Sequence, residues 1–186
     1  MKKQPERTAL TRSIFIETFL QISEKKSVDK ITVSEICKKA GYNRGTFYNY
    51  FNDTYNLLEC IENDLLDYIE KNIVNQIGDE HPEQFFIDNF IRVESEKRGI
   101  IKLLFVKSNS FPVKLKEILI PLYARQMSMP IDDEHTIYKL DFYLSGAISV
   151  ISRWVTSESP MAAEEYALLM KQLLEGMRKS ELFPGL

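Results

Sequence analysis

Cysteine and histidine have the widest chemistry among the side chains, and this chain holds two of each, Cys37, Cys60, His81 and His135. Their spacing contains no CxxC pair and no Cys/His cluster, so it predicts neither a zinc site nor a disulfide framework. Cys37 falls on the apolar stripe of a predicted helix without an activating neighbour, which disfavours a catalytic thiol. No Ser/His/Asp set and no phosphate-binding glycine loop is present. We therefore expect no enzyme activity, no catalytic residue, no metal and no cofactor.

The lysines and arginines are concentrated near the N-terminus. Residues 1–52 hold ten of them against five acidic residues, whereas the remaining residues hold 14 against 22, for a formal net charge of −3. A basic segment on an acidic remainder suits a surface that faces phosphates. Chance clustering of charge is the alternative.

Two short helices are predicted at residues 33–40 and 44–50, and they are the most informative pattern in the sequence. Thr32 and Glu35 have the spacing of a capping box at the start of the first helix, and Gly41 ends it. Two such helices joined by a glycine-containing turn match a helix-turn-helix. A third helix, at residues 8–23, would complete a small core and leave the outer face of the second short helix free to enter a DNA major groove.

A resemblance to the TetR family of transcriptional regulators is carried by these residues. The matching string is Ile31-Thr32-Val33-Ser34-Glu35-Ile36, then Ala40-Gly41-Tyr42-Asn43-Arg44-Gly45-Thr46-Phe47-Tyr48-Asn49-Tyr50-Phe51, then Leu57-Leu58. It covers about residues 8–60, and it is specific because it is a long ordered string of unlike residues. The later part of the chain resembles the family only in its helix layout.

The resemblance implies DNA-contacting roles for individual residues. A guanidinium can engage guanine O6 and N7 together, so Arg44 is the first candidate for a base contact, and Asn49 could read adenine. The full set of candidates is Thr32, Tyr42, Asn43, Arg44, Gly45, Thr46, Tyr48, Asn49, Tyr50 and Thr54. Within it, Thr32, Tyr48 and Tyr50 would bind backbone phosphates, and Gly45 would allow close approach. Capping of the small core is the alternative for the two tyrosines, and Phe47 and Phe51 are expected in that core.

The start of the fourth helix departs from the family pattern. A basic residue that touches phosphate is usual there, whereas this chain has Thr54. Its hydroxyl could still donate a hydrogen bond, and Arg7 and Arg12 could compensate from the first helix. Loss of one phosphate-contacting charge flattens the salt dependence of DNA binding by roughly one unit.

Helical periodicity dominates the whole chain, which predicts an all-α fold of about nine helices. The expected spans are 8–23, 33–40, 44–50, 54–76, 83–97, 99–107, 113–128, 133–156 and 160–179. We expect two domains, a three-helix DNA-binding head over residues 1–53 and a larger helical regulatory and dimerisation body over residues 54–186. No apolar run approaches the roughly 18 residues of a membrane span, and no signal peptide is evident, so we expect a cytoplasmic, nucleoid-associated protein.

The last two predicted helices are the candidates for a dimer surface. Apolar residues recur at helical spacing over 137–155 and 161–178, and Gly146 would permit close helix approach. Family resemblance implies a homodimeric four-helix bundle built from these helices. The alternative is that both stripes belong to the core of a single chain.

Many aromatic residues lie in the body, including Phe85, Phe86, Phe90, Phe105, Phe111, Tyr123, Phe142, Tyr143 and Trp154. Some of them could line a pocket for a small apolar effector, with ordinary core packing as the stronger interpretation. The resemblance implies a ligand-responsive repressor that binds a palindromic operator on double-stranded DNA as a dimer. An activator of the same fold and a DNA-tethered protein-interaction factor remain alternatives. An open pocket would favour the ligand-responsive repressor, and a closed core would favour the other two.

Overall fold

The computed structural model of the chain describes residues 5–74, 82–126, 128–158 and 160–179. This part of the chain is all helical, as the periodicity predicts, with eight α-helices and one 3₁₀ turn at Val28–Lys30. The helices are α1 (Pro5–Ser23), α2 (Val33–Ala40), α3 (Arg44–Tyr48), α4 (Thr54–Val74), α5 (Pro82–Lys107), α6 (Phe111–Gln126), α7 (Glu134–Thr156) and α8 (Ala163–Arg178). None of the described helices is long and apolar enough to cross a membrane.

The helices form two compact units, Met1–Leu65 and Leu66–Leu186. The boundary falls inside α4, whereas the sequence placed it at residue 53. The physical reason is that the first half of α4 contributes Leu57, Ile61 and Leu65 to the buried core of the first unit.

Phe15 of α1 lies at the centre of the first unit. Its ring meets that of Phe47 edge-on at 5.4 Å and that of Phe51 at 6.4 Å. Phe15 and Phe47 are fully buried, and Phe51 is 1% exposed. The expectation that Phe47 and Phe51 belong to the core is confirmed. Aromatic pairs in this geometry add about 0.5–1.5 kcal/mol each beyond the area they bury, so they fix the angle of α3 on α1.

In the second unit, α5 packs against α6, α7 and α8. The sequence predicted two helices here, over residues 83–97 and 99–107. The range of α5 consists of two helical segments that meet at a kink at Lys97, where φ is −129° and ψ is 18°. The predicted break is therefore confirmed to within two residues, and with α5 counted as two segments the described residues hold the nine helices that the sequence predicted.

The apolar stripe predicted as a dimer surface on α7 faces the core of its own chain instead. Leu140, Leu144 and Ile148 are buried within the single chain, and on α8 so are Tyr166 and Met170. Helical spacing identifies which face of a helix is buried, but it does not say whether the same chain or a second one buries it. Of the predicted stripe on α8, Leu173 is exposed, and so are Tyr138, Phe142 and Leu168, which lie outside the predicted stripes.

Gly41 ends α2 in the left-handed conformation, with φ of 75°. In this conformation, the Cβ of a Gly41→Ala substitution would lie too close to the following carbonyl oxygen. We therefore expect the opening free energy of the first unit to fall by about 1 kcal/mol. Hydrogen exchange measured by mass spectrometry reports this free energy for each unit separately.

Gly99→Ala is the matched control, because Gly99 lies within α5 and an added Cβ there meets no atom within 4 Å. We expect it to stabilise the second unit by about 0.5–1 kcal/mol. Equal protection of the first unit in Gly41→Ala and the unaltered protein would contradict the assigned role of Gly41.

Candidate nucleic-acid interface

Hydrogen-bonded caps fix both ends of α2, the first helix of the pair. The Thr32 hydroxyl accepts a hydrogen bond from the Glu35 amide at 3.2 Å, as the capping box requires. The Glu35 carboxylate accepts from Lys26 Nζ at 2.7 Å, so the reciprocal half of the box is replaced by an ion pair. At the other end, the Gly41 amide donates to the Cys37 carbonyl. Both ends of α2 are therefore defined by hydrogen bonds within the chain itself.

Asn43 is the N-cap of α3. Its Oδ1 accepts from the Thr46 amide at 2.8 Å and from the Thr46 hydroxyl at 3.1 Å. Both Asn43 and Thr46 were candidates for DNA contact. Their polar atoms are engaged with each other, and this pairing fixes the start of α3, so their geometry supports a positioning role. Sequence reasoning did not identify this cap.

Gly45 lies beside that cap. A Cβ at this position would come within 3.3 Å of Asn43 Oδ1. That distance is tighter than an ordinary contact, so the absence of a side chain here protects the cap. This is a reason for glycine that is additional to close approach of the helix to DNA.

Three of the remaining candidates lie on the exposed side of α3 or at its end. Arg44, Tyr48 and Asn49 are exposed, and Arg44 makes no hydrogen bond or ion pair within the described part of the chain. Tyr48 is 56% exposed, with its ring edge-on to Phe47 at 5.7 Å. The rigid core thus holds one face of α3, and its opposite face carries a free guanidinium and a phenol.

Tyr42 and Tyr50 are only half-buried because their rings pack on the aromatic core. The ring centroids lie 5.3 Å and 6.2 Å from that of Phe15. Both tyrosines therefore help to close this core, which was the alternative interpretation for Tyr50.

The candidate at the start of α4 lies in a different environment. Thr54 is only 7% exposed, because it falls on the same helical face as Leu57, Leu58 and Ile61. A side chain this buried has little surface left for a phosphate contact. The neighbouring Tyr55 is 59% exposed, and the period of the α4 stripe could have identified it from the sequence.

Arg12 is already engaged inside the first unit. Its Nη1 lies 2.6 Å from Asp64 Oδ2, and its guanidinium lies over the Phe51 ring at 5.6 Å. The ion pair ties α1 to α4, and the ring contact ties α1 to the segment that follows α3. The suggestion that Arg12 replaces the missing basic residue of α4 is therefore not supported, and the side chain of Arg7 lies outside the described residues.

Cys37 faces the core of the first unit. Burial raises the pKa of its thiol, and the positive charge of Arg44 lowers that pKa by a smaller amount. A thiol with a raised pKa is a poor nucleophile at neutral pH. The group acts here as a small apolar side chain. No cluster of three or more potential metal ligands occurs among the described residues.

The second unit contains an internal cavity of about 50 Å³. Its lining is almost wholly apolar and includes Phe90, Phe105, Phe111 and Tyr123 from the predicted aromatic set. Trp154 instead stacks on Tyr166 with ring centroids 4.3 Å apart, and Phe142 is exposed. The side chains of Phe85 and Phe86 lie outside the described residues.

Comparisons with known proteins agree with this arrangement. The model of bacterial regulatory proteins of the tetR family matches residues 20–61, and a transcriptional regulator C-terminal region matches residues 80–176. The uncharacterized HTH-type transcriptional regulator YvdT of Bacillus subtilis is 32% identical over 105 residues, or 54% of each chain. The dhaKLM operon transcriptional activator DhaS of Lactococcus lactis is 34% identical over 68 residues, or 36% of each chain. The chain thus matches about half the length, or less, of these relatives.

Solved structures share the fold at low sequence identity. The fatty acid degradation regulator FadR from Bacillus halodurans superposes with a TM-score of 0.65 at 18% identity, covering 95% of this chain and 97% of that one. A TetR transcriptional regulator from Streptococcus agalactiae also gives 0.65, at 19% identity over 91% of this chain and 96% of that one.

A capped turn, a short helix held by an aromatic core and an exposed outer helix face define a helix-turn-helix protein. Because the two family models together match most of the chain, the chain belongs to the TetR family of bacterial transcriptional regulators. That family consists of regulators, in agreement with the lack of a catalytic motif in the sequence.

The Asn43 cap can be tested by removing its acceptor. Asn43→Ala should lower the opening free energy of the first unit by about 1 kcal/mol, because the Thr46 amide loses its partner. Asn43→Asp keeps the acceptor and should retain most of that stability. Amide exchange of Phe47 and Phe51 followed by NMR is the measurement. Equal exchange in all three proteins would exclude a structural role for the cap.

Proposed function

We propose that two copies of this chain bind a palindromic operator, with α3 of each copy in the major groove, and that occupancy of the operator represses transcription. The single observation that carries the proposal is the unpaired Arg44 guanidinium on the exposed side of a rigidly held α3. A guanidinium can bind guanine O6 and N7 together, and a side chain without an internal partner can do so without breaking an existing bond. Asn49 is the second candidate for reading a base.

Backbone phosphates would be bound by groups around this helix. Tyr48 offers an exposed hydroxyl, and Thr32 stands at the start of α2, where the first amides of the helix lack partners within it. Exposed Tyr55 is a further hydroxyl donor beside the buried Thr54. Hydroxyl donors position the protein without adding charge, so DNA binding should depend less on salt than with a lysine at position 54.

A helix-turn-helix reads too few base pairs alone, so a palindromic site calls for a dimer. Exposed apolar side chains on α7 and α8 support the proposal that these two helices form the interface. Phe142 is 62% exposed and Tyr138 is 68% exposed, one helical turn apart on α7. Large exposed aromatics near each other are typical of an interaction surface. The interface residues are therefore different from the buried stripe that the sequence suggested.

The small size of the internal cavity favours a second candidate function, in which the protein regulates transcription without a small-molecule effector inside this cavity. A cavity of roughly 150 Å³ is needed to hold benzene, whereas the one in this chain is about 50 Å³. An apolar effector of that size would fit only if the cavity enlarged. An activator, or a DNA-tethered factor that binds a protein, does not need such a cavity. DhaS, one of the similar proteins, is itself named an operon activator.

The DNA-binding proposal is tested by a selection of genomic fragments with purified protein. We expect enrichment of a palindromic site. Arg44→Ala should relax its specificity at one base pair per half-site and weaken binding by about 1–3 kcal/mol. Tyr48→Phe should weaken binding evenly across sequences, because it removes a phosphate contact only.

Arg125→Ala is the matched control for the charge, since Arg125 is an exposed arginine on α6. It should leave both affinity and specificity unchanged. If the unaltered protein enriches no site at low salt, the DNA-binding proposal is wrong. A reporter gene placed under a promoter that contains the enriched site would show whether the protein represses or activates transcription.

The proposed interface is tested by Phe142→Glu. Two buried carboxylates at a two-fold interface would lose their hydration, so the variant should sediment as a monomer at concentrations where the unaltered protein is a dimer. Val106→Glu places the same charge at another exposed apolar position, on α5, and should remain dimeric. A dimeric Phe142→Glu protein would exclude this surface.

A further inference from the structure

The second unit also carries an open groove between the start of α6 and the middle of α7. Its volume is about 490 Å³, and Phe105, Val113 and Ile148 supply its apolar wall. Pockets that bind small molecules typically measure about 300–1,000 Å³. The groove therefore has the size that the internal cavity lacks. Phe105 borders both spaces, so a ligand lying against its ring would contact the outer wall of the internal cavity.

The polar side of the groove is positively charged. Arg153 lines it and makes no ion pair within the described residues. Lys116 also lines it, with its Nζ 2.7 Å from Asp141 Oδ1 and 3.2 Å from Ser145 Oγ. Because Asp141 neutralises Lys116, the remaining charge is that of one guanidinium. This balance suits a single negative charge better than two.

Hydroxyl groups complete the polar side. Ser149 and Ser152 line the groove next to Arg153 along α7, and neither hydroxyl has a hydrogen-bond partner among the residues described. A guanidinium flanked by two free hydroxyls offers several donors to one carboxylate, and charge-assisted hydrogen bonds of this kind are about twice as strong as neutral ones. Across the groove, Phe105, Pro112 and Val113 present apolar side chains beside the ion-paired Lys116.

We propose that this groove binds an amphipathic monoanion, a carboxylate with an apolar tail, and that its binding changes operator affinity. The carboxylate would lie at Arg153, Ser149 and Ser152, and the tail along Phe105 and Val113. The effect on DNA rests on the proposed function, since an effector must bind the DNA-bound and free forms with different affinity, and the coupling is reciprocal. Binding to the groove itself does not depend on it.

The probe is octanoate, titrated calorimetrically into the full chain at low and high salt. We expect binding that weakens with salt, because the site is partly exposed. Octanol lacks the charge and acetate lacks the tail, so both should bind at least roughly tenfold more weakly. Octylammonium should not bind. Absence of octanoate binding would overturn the proposal, as would equal binding of octanol.

Two variants locate the site. Arg153→Gln should weaken octanoate binding by roughly tenfold, since it removes the one charge in the groove lining that has no ion-pair partner among the described residues. Val113→Glu adds a carboxylate to the apolar wall and should abolish binding. Its fold should be retained because Val113 is 52% exposed and lies in the first turn of α6, where a negative charge is favourable. Arg125→Gln is the matched control and should bind octanoate normally.

Retained octanoate binding in both Arg153→Gln and Val113→Glu would mean that the ligand lies elsewhere, for example in an opened internal cavity, and would overturn the assignment. The operator arm compares DNA affinity with and without saturating octanoate. An unchanged affinity would overturn the effector role. If the ligand-free protein selects no DNA site, the proposed function fails, while the calorimetric result for the groove still stands or falls separately.

Discussion

The packing of Phe15 against Phe47 and Phe51 is the constraint on which the first unit depends. A five-residue helix such as α3 is too short to be stable alone, because helix formation has a costly nucleus. Its geometry is imposed by Phe47, which anchors its inner side to α1, and by Asn43, which caps its first turn. Once the inner side is fixed, the direction of Arg44 on the outer side is fixed as well. The proposed DNA contact of Arg44 therefore depends on an apolar interaction inside the first unit.

The parts that the sequence predicted well are those with a local chemical signal at each end. Residues 33–40 were predicted as a helix and form α2. Thr32 marks its start, because its side chain accepts a hydrogen bond from the Glu35 amide, and Gly41 marks its end with a positive φ. Where the signal is weaker, the position was less exact. Gly99 indicated the break in α5, because glycine weakens a helix, but the non-helical residue is Lys97, which carries no distinctive side-chain signal.

The candidate site was predictable by residue type and less so by role. The family string located Arg44 and Tyr48, whose exposure agrees with their expected roles. It did not separate Asn43, which caps α3, from residues free to bind DNA, since the same amide can do either. In the body, the periodicity of α7 identified a stripe containing Leu144, but only three-dimensional packing shows that its own chain covers it. Partner surfaces depend on what remains exposed after folding.

The contact between Arg12 and Asp64 has a consequence for how such a regulator searches a chromosome. With Arg12 engaged in an internal ion pair and an uncharged threonine at position 54, the helix-turn-helix unit has fewer positive charges available for arbitrary phosphates. Sequence-independent affinity arises almost entirely from such charges, and a genome offers roughly 10⁶–10⁹ competing sites. A regulator with a lower sequence-independent affinity for DNA dissociates sooner from non-specific sites. Fewer molecules per cell therefore suffice to keep the operator occupied.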